Sequence, residues 1–225
     1  MEIPISKKLF LIDNTSDSKY KNLSYNTNEA VHYVENNKNI GFGSGHNKVI
    51  PLIKGFSKYH LVLNPDVFFE QTVISDLIIK IGSMNDVAMI APKVQFPNGE
   101  EQFTVRKYPS VLDLFIRKTG VSKNSIYKQE YRDQDLTQPF FPEAIHGCFM
   151  LFKTEDFIAL NGFDERYFLY MEDIDICKKI DQIGKKKLYY PKVKVSHVLK
   201  QGSSKNIKLF LYHLSSAFKY FVKWL

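Results

Sequence analysis

Cysteine is scarce in this sequence, and so is any long apolar run. Only Cys148 and Cys177 occur among 225 residues. They are too few for a disulfide framework and too isolated for a zinc site, so we interpret both as buried thiols. No segment reaches the roughly 20 apolar residues that span a bilayer. Met1 to Lys8 has no basic segment followed by an apolar one, as a secretory signal would. These absences predict a cytoplasmic protein.

Acidic residues are almost missing from the C-terminal part of the chain. Residues 178–225 contain twelve lysines and a single acid, Asp181, so with a total net charge of +7 the first 177 residues carry −4. Such asymmetry predicts a polyanionic partner, either nucleic acid or an anionic lipid surface. The basic part has no arginine for bidentate base contacts and no nucleic-acid-binding motif. We therefore predict an anionic membrane surface as partner and no nucleic acid.

What is present favours a globular domain that contains both strands and helices. Hydrophobic residues make up 44% of the sequence, and a chain of this length buries roughly 70% of its unfolded surface. Apolar or alternating runs predict strands, and apolar residues at helical spacing predict helices. We predict strands at 9–12, 31–34, 59–63, 87–90, 143–152 and 188–197, and helices at 70–83 and 206–225. Residues 120–142 are polar with little periodicity and predict a mobile loop.

Five acids stand among aromatic residues between Gly162 and Cys177. Apolar residues recur every third position beyond them, and Gly184 with three lysines supplies a helix stop, so Glu172 and Asp173 fall in the first turn of a helix. Two interpretations are open. The acids complement the helix dipole, or they include a general base whose pKa is held up by apolar neighbours. The apolar run at 167–170 favours the base.

Polar residues follow the first and third predicted strands. Asp13 and Asn14 form a turn at the end of the first strand, where ligands of α/β sheets bind. An ordinary Asx turn would have the same sequence. Asn64-Pro65 ends the third strand, and Asp66 after it either projects from the sheet edge or caps a helix.

A glycine-rich loop at 36–47 precedes a helix that we expect to begin near His46. A dinucleotide fingerprint would need glycine at 46 or 48, and these positions are His46 and Lys48, so the spacing excludes it. Farther on, Pro97-Asn98-Gly99 predicts a hairpin turn.

Two histidines lie in predicted strands. His197 alternates with Val193 and Val195, which places it on their face, as is typical of a core histidine. His146 lies in the predicted strand at 143–152, and a lone histidine in a strand more often has a structural role than a catalytic one.

Several segments together resemble a known family. They are, in chain order, Asn39–Asn47, Asn64–Asp66, Pro97–Pro109, His146–Gly147, Gly162–Cys177 and Val195–His197. This set resembles family-two glycosyltransferases of the GT-A fold, especially the bacterial rhamnosyltransferase-like branch, from about Leu9 to the C-terminus. The resemblance implies a mixed α/β sheet flanked by helices over residues 1–205. A basic amphipathic helix over residues 206–225 would follow, lying either in a membrane interface or over the core.

The resemblance also implies roles for individual residues. The general base would be Asp173, with Glu172 beside it. Donor binding would involve Asp13, Asn14, Asn39, Gly41, Gly43 and Asp66. Acceptor binding would involve Arg106, His146, Gly147 and Asp175. A divalent cation, Mn or Mg, would be held by Asp66 and His197, with diphosphate oxygens as further ligands.

These roles predict a definite reaction. It is the inverting transfer of a sugar, for example rhamnose, from a nucleotide-diphosphate donor to a hydroxyl of a lipid-linked or polysaccharide acceptor at the inner face of the membrane. Two other classes stay open. One is a catalytically impaired relative that serves as a binding or scaffold subunit. The other is a nucleotidyltransferase, which normally needs more than one carboxylate at its metal.

The resemblance also predicts a shortened N-terminus. Relatives begin with a strand and a helix ahead of the segment that matches Leu11–Asn14, and Met1 to Lys8 is too short for such a unit. The strand would normally pair inside the sheet and line part of the nucleotide pocket. We therefore expect the chain alone to bind donor weakly, unless a partner protein supplies the strand.

Overall fold

The computed structural model describes residues 5–17, 20, 29–198 and 206–225. Its strands are β1 Leu9–Asp13, β2 Val31–Glu35, β3 Tyr59–Leu63, β4 Val67–Phe68, β5 Val87–Gln95, β6 Glu101–Gln102, β7 Val105–Arg106, β8 Ala144–Ile145, β9 Phe149–Lys153 and β10 Lys186–His197. Its helices are α1 Phe42–Asn47, α2 Ile50–Ile53, α3 Thr72–Gly82, α4 Val111–Thr119, α5 Lys123–Gln129, α6 Thr154–Ala159, α7 Glu172–Gln182 and α8 Ile207–Trp224. This mixture confirms the predicted α/β class.

The central sheet has the strand order β3-β9-β5-β10-β4, and β6 pairs with the end of β5. Only β5 and β10 run parallel, and the remaining pairs are antiparallel. The first six residues of β5 are all buried, as expected for a strand whose two faces are both covered. The sheet is therefore mixed, as predicted.

The two faces of the central sheet carry separate apolar clusters. Along β9, Phe149 and Leu151 join one cluster, whereas Met150 and Phe152 join the other. This alternation follows from the two-residue period of a strand. The first cluster includes buried residues of α3, and the second includes buried residues of α7. Each face of the sheet is thus covered by a helix. The helix α7, which carries Glu172 and Asp173, covers the face on which Met150 and Phe152 lie.

β1 and β2 form a separate parallel pair, with Leu9 opposite Val31 and Asp13 opposite Glu35. Phe10 and Ile12 pack against the cluster that contains α7. Within the described ranges β1 pairs only with β2, and β3 pairs only with β9. The missing strand that the resemblance implied therefore stays a prediction.

Most of the predicted elements are confirmed. The first three strands and the helices at 70–83 and 206–225 match within a few residues, and the hairpin turn at 97–99 joins β5 to β6. Cys148 and Cys177 are free and buried, as expected. Among the helices that the structure describes, none is long and apolar enough to cross a bilayer. The predicted boundary at residue 205 lies outside the described residues.

Three predictions need correction. The helix after the glycine-rich loop begins at Phe42, before His46, so Gly43 and Gly45 lie inside it. The strand at 143–152 is two strands, because β8 pairs with β7 whereas β9 joins the central sheet. His146 and Gly147 occupy the crossing between them.

The prediction of a mobile loop at 120–142 is wrong. This segment contains α5, which begins with Ser122 accepting a hydrogen bond from the Ser125 N–H. At the C-terminal end of α5, Gln129 and Glu130 both accept hydrogen bonds from Arg117 of α4. Polar contacts therefore hold a segment that apolar periodicity does not reveal.

His60 of β3 is a buried histidine without a hydrogen-bond partner for Nε2 in the described structure. Its ring packs on Phe157 with the ring centroids 4.7 Å apart. Burial, reinforced by His46, lowers the pKa of His60 from 6.5 to about 3, and burial lowers the pKa of His46 to about 4. Both rings are thus neutral in the folded protein at neutral pH.

The free energy of unfolding should therefore fall as the pH drops below 6.5. The unfolded chain takes up these protons at pH 6.5 and the folded chain only near pH 3 to 4, so acid favours unfolding across that window. One such proton changes the folding equilibrium about tenfold per pH unit. Urea unfolding of His60→Leu between pH 7.5 and 5 should show a shallower pH dependence than the wild type. The exposed His32, replaced by Gln, is the control, and equal slopes in all three proteins would contradict the prediction.

Candidate active site

The start of α7 is set by an unusual backbone. Tyr170 and Met171 both have φ of 70°, in the left-handed region that costs energy for side chains other than glycine. The turn directly before them is fixed to α1, because the Phe42 N–H donates to the Phe168 carbonyl at 3.1 Å. This geometry places Glu172 and Asp173 in the first turn of α7, as predicted.

Glu172 is the buried member of the acid pair. Its carboxyl group is 5% exposed, and Oε2 has no hydrogen-bond partner in the described part of the chain. Burial, and next the charge of Asp173, raises the pKa of Glu172 to about 8. The carboxyl is therefore mostly protonated at pH 7. The sequence predicted one acid with a raised pKa in this segment, and the structure gives that property to Glu172.

Asp173 is half-buried and is held by backbone donors. Its Oδ2 accepts from the Gly147 N–H at 3.1 Å, and its Oδ1 accepts from the Ile174 N–H at 2.9 Å. Gly147 also packs against the side chain of Asp173. A Cβ placed on Gly147 would be 3.4 Å from the Asp173 Cβ and 3.6 Å from the ring of Phe42. The predicted pair Asp173 and Gly147 is thus brought into contact.

Arg106 and His146 lie close to this carboxylate. Burial lowers the pKa of His146, the charges of Arg106 and His197 act in the same direction, and Asp173 opposes them. Burial, and next the charge of Arg117, lowers the pKa of Arg106 to about 10, while Glu130 and Asp173 raise it. In the described part of the chain, Nδ1 of His146 and Nε of Arg106 are buried without a hydrogen-bond partner. The Arg106 Nε is a donor available to a bound ligand, whereas the His146 Nδ1 donates or accepts according to the tautomer of the ring.

Asp66 and His197 meet at the end of the central sheet. The distance between His197 Nε2 and Asp66 Oδ1 is 3.3 Å. β10 pairs with β4 so that His197 lies opposite Val67, and the Val198 N–H donates to the Asp66 carbonyl at 3.0 Å. The rings of His197 and His146 are 6.3 Å apart. The predicted pair therefore adjoins the acid pair through His146.

Gln102 of β6 fixes His197, and sequence reasoning missed it. The Gln102 Nε2 donates to the His197 carbonyl at 2.6 Å, which orients the amide. Its Oε1 then faces His197 Nδ1 at 3.0 Å and accepts a hydrogen bond from it. Nδ1 is therefore the donor in this contact, and Nε2 faces Asp66. The only available signal was the hairpin turn at 97–99, which brings β6 against β5.

The residues predicted for the nucleotide side also meet. The Asn14 Nδ2 donates to the Gly41 carbonyl at 3.0 Å, and the Asn39 Oδ1 accepts from the Gly41 N–H at 2.9 Å. Asp13 accepts from the Thr15 N–H at 2.8 Å, the Asx turn that was the simpler interpretation. Two partners were not predicted from the sequence. Tyr33 donates through its hydroxyl to Asp13, and Asn36 donates to Asn14 at 2.8 Å.

Gly41 and Gly43 permit α1 to approach the acid segment. A Cβ on Gly41, whose φ is 94°, would be 2.4 Å from the Phe168 carbonyl oxygen. A Cβ on Gly43 would be 2.7 Å from the Phe163 Cβ and 3.8 Å from the Glu172 Cβ. Such distances exclude any larger residue, so both glycines are explained by close packing.

Asp175 points toward α8 and not toward Gly147. It is 0% exposed, and its carboxylate accepts from Lys223 Nζ at 2.7 Å, Trp224 Nε1 at 2.7 Å and Tyr167 hydroxyl at 3.1 Å. These donors occupy the oxygens that an acceptor would need. Asp175 therefore joins α7 to α8, and its geometry does not favour the predicted contact with an acceptor.

Metal ligands are few in this arrangement. The described residues contain no group of three or more His, Cys, Asp or Glu side chains placed to hold a metal ion. Asp66 and His197 alone converge, so any cation there would need further ligands from a substrate.

Comparisons with known proteins find similar sequences among glycosyltransferases. Residues 134–200, which include α7 and β10, match a family model described as the N-terminal domain of galactosyltransferase. Rhamnosyltransferase WbbL of Escherichia coli (strain K12) is 28% identical over 244 residues, covering 96% of this chain and 88% of that protein. An N-acetylglucosaminyl-diphospho-decaprenol L-rhamnosyltransferase of Mycobacterium tuberculosis is 24% identical over 208 residues, covering 87% of this chain and 67% of that protein.

A solved structure shares the fold. The crystal structure of GalNAc-T7 with UDP, GalNAc and Mn²⁺ superposes with a TM-score of 0.62 at 16% identity, over 86% of this chain and 37% of that chain. This likeness confirms the predicted GT-A fold. Together with the family model and the two relatives, it shows that this chain is similar to glycosyltransferases, and among them to rhamnosyltransferases.

Proposed function

We propose that the chain transfers a sugar such as rhamnose, with inversion, from a nucleotide-diphosphate donor to a hydroxyl of a lipid-linked or polysaccharide acceptor in cell-surface glycan synthesis. The proposal rests on one observation, the contact of the acid pair with the Asp66–His197 pair through His146 and Gly147. One relative's name specifies a diphospho-decaprenol acceptor, which supports a lipid-linked acceptor here. Such an acceptor places the enzyme at the inner face of an anionic membrane.

Asp173 is the general base in this proposal. Asp173 is half-buried, whereas Glu172 is buried and, with a pKa of about 8, mostly protonated at pH 7. A protonated acid cannot accept the acceptor's proton but can donate a hydrogen bond. Asp173 takes the hydroxyl proton as the acceptor oxygen bonds to the anomeric carbon. The bond from that carbon to the diphosphate breaks, and its electron pair leaves with the diphosphate oxygen.

Asp66 and His197 are suited to a divalent cation. Gln102 accepts from Nδ1, so the ring directs Nε2 to a carboxylate oxygen 3.3 Å away. A nitrogen and a carboxylate oxygen that converge in this way can hold a positive charge between them. A bound Mn or Mg ion would neutralise charge on the leaving diphosphate. The Mn²⁺ in the GalNAc-T7 structure supports the cation.

Donor binding follows from the remaining residues. Asp13, Asn14 and Asn39 hold the turn against Gly41 at the nucleotide end. Arg106 Nε is a buried donor at the catalytic end, where a phosphate or acceptor oxygen can accept from it, and His146 Nδ1 is a second buried nitrogen without a partner among the described residues.

The wild type should transfer labelled sugar, and not the nucleotide, when it is incubated with labelled sugar nucleotides and a lipid-linked acceptor. Asp173→Asn should keep donor binding and lower kcat by roughly 10²-fold or more, because the amide cannot accept the proton. Asp76→Asn, at an exposed acid on α3, is the control and should retain full turnover. Near-normal kcat in Asp173→Asn would remove it as the base. Nucleotide binding without any turnover would favour a scaffold.

Gln102→Leu should weaken manganese-dependent binding of a nucleoside diphosphate by about 10-fold, because the ring of His197 loses the partner that orients it. Calorimetry with and without Mn²⁺ measures this, and His197→Ala should lose at least as much. Gln102→Glu keeps an acceptor for Nδ1 and should restore part of the affinity. Equal losses with and without Mn²⁺ would assign Gln102 a structural role only.

A further inference from the structure

α8 has one face packed on the protein and one face open. Ser216, Ala217 and Tyr220 are buried on the inner face. The opposite side carries what we call the outer stripe: Ile207, Leu211, Leu214, Phe218, Val222 and Leu225, which are 73, 57, 51, 71, 69 and 95% exposed. These residues recur every three or four positions, so they lie along one side of the helix. A continuous exposed apolar side of this kind indicates a docking surface.

Polar contacts fix which face of α8 points inward. Ser216 Oγ donates to the Leu169 carbonyl at 2.8 Å, and Lys219 Nζ donates to the Arg166 carbonyl at 2.7 Å. Lys223 and Trp224 donate to the buried Asp175 carboxylate. Rotating the helix to bury the outer stripe would remove the Lys223 and Trp224 donors from that carboxylate, a large cost for a charge out of water. The stripe therefore stays outside, and an external partner must cover it.

The charge of this region selects the partner. From Ile207 to Leu225 the sequence has three lysines, Lys208, Lys219 and Lys223, and no acid. A second copy of the chain would bring the same basic surface against itself, whereas an anionic lipid surface offers the opposite charge. Spanning the bilayer is excluded, because the inner face of α8 is held by polar contacts to residues 166–175. An apolar stripe beside lysines suits a helix that lies flat in the interface.

We propose that the outer stripe of α8 docks on an anionic lipid surface, with the helix axis parallel to it. Asp175 ties this helix to α7, so docking holds the acid pair at a fixed height above the lipid. The inference rests on the proposed function only in taking the acceptor to be lipid-linked. Docking itself needs no sugar nucleotide.

The test is co-sedimentation of the whole chain with vesicles of phosphatidylcholine alone or with about a third phosphatidylglycerol. The wild type should bind the anionic vesicles, and binding should fall several-fold between low and high salt as the lysines are screened. The double variant Leu211→Ser/Phe218→Ser should lower the partition coefficient at least about tenfold, because two apolar side chains no longer enter the lipid. Both positions are exposed, so the circular dichroism and Tm should match the wild type.

Ile79→Ser is the matched control, since Ile79 is 72% exposed on α3, which packs on the central sheet instead. It should bind vesicles as the wild type does. Wild-type binding by the double variant, or an equal loss in Ile79→Ser, would overturn the docking surface. A wild-type dimer that the double variant abolishes, without vesicle binding, would assign the stripe to a second copy. A protein that binds vesicles but transfers no sugar would overturn the proposed function and leave this inference standing.

Discussion

The buried carboxylate of Asp175 is the group on which the acid segment and the two helices α7 and α8 depend. A charge that is 0% exposed is tolerated only because Lys223, Trp224 and Tyr167 all donate to it. Those donors come from α8 and from the segment ahead of α7. The same carboxylate thus holds the helix that carries the acids, the turn that starts it and the helix that covers it. The left-handed backbone at Tyr170 and Met171 persists because both of its sides are fixed in this way.

The acid pair shows how neighbouring residues acquire different chemistry. Glu172 and Asp173 share the positive end of α7, but Glu172 points into packed side chains and Asp173 toward the Gly147 N–H. Burial beside an existing charge raises the pKa of Glu172, and so only one of the two adjacent acids needs to be ionised at pH 7. The donors that hold Asp173 come from the backbone and therefore do not depend on any side chain.

Periodicity and turn chemistry were enough to locate much of this arrangement. They placed the strands, the start of α7 and the position of His197 on the face of Val195, and the resemblance added the meeting of His197 with Asp66. They could not show Gln102, since its contact joins residues 95 positions apart through a hairpin whose pairing the sequence leaves open. The role of Asp175 was hidden for a similar reason. Two of its partners lie 48 and 49 residues away in the sequence. The sequence alone does not distinguish a helical acid that binds a ligand from one that forms a buried ion pair.

Asp173 and Asp175 are two residues apart on one helix, and at about 100° per residue their side chains leave it in nearly opposite directions. One is held by the Gly147 N–H, whereas the other faces α8 and is held by Lys223. A single turn of α7 therefore carries both the acid pair and the attachment to α8. Because the two carboxylates are joined by the backbone of this turn, the position of α8 constrains the position of Asp173.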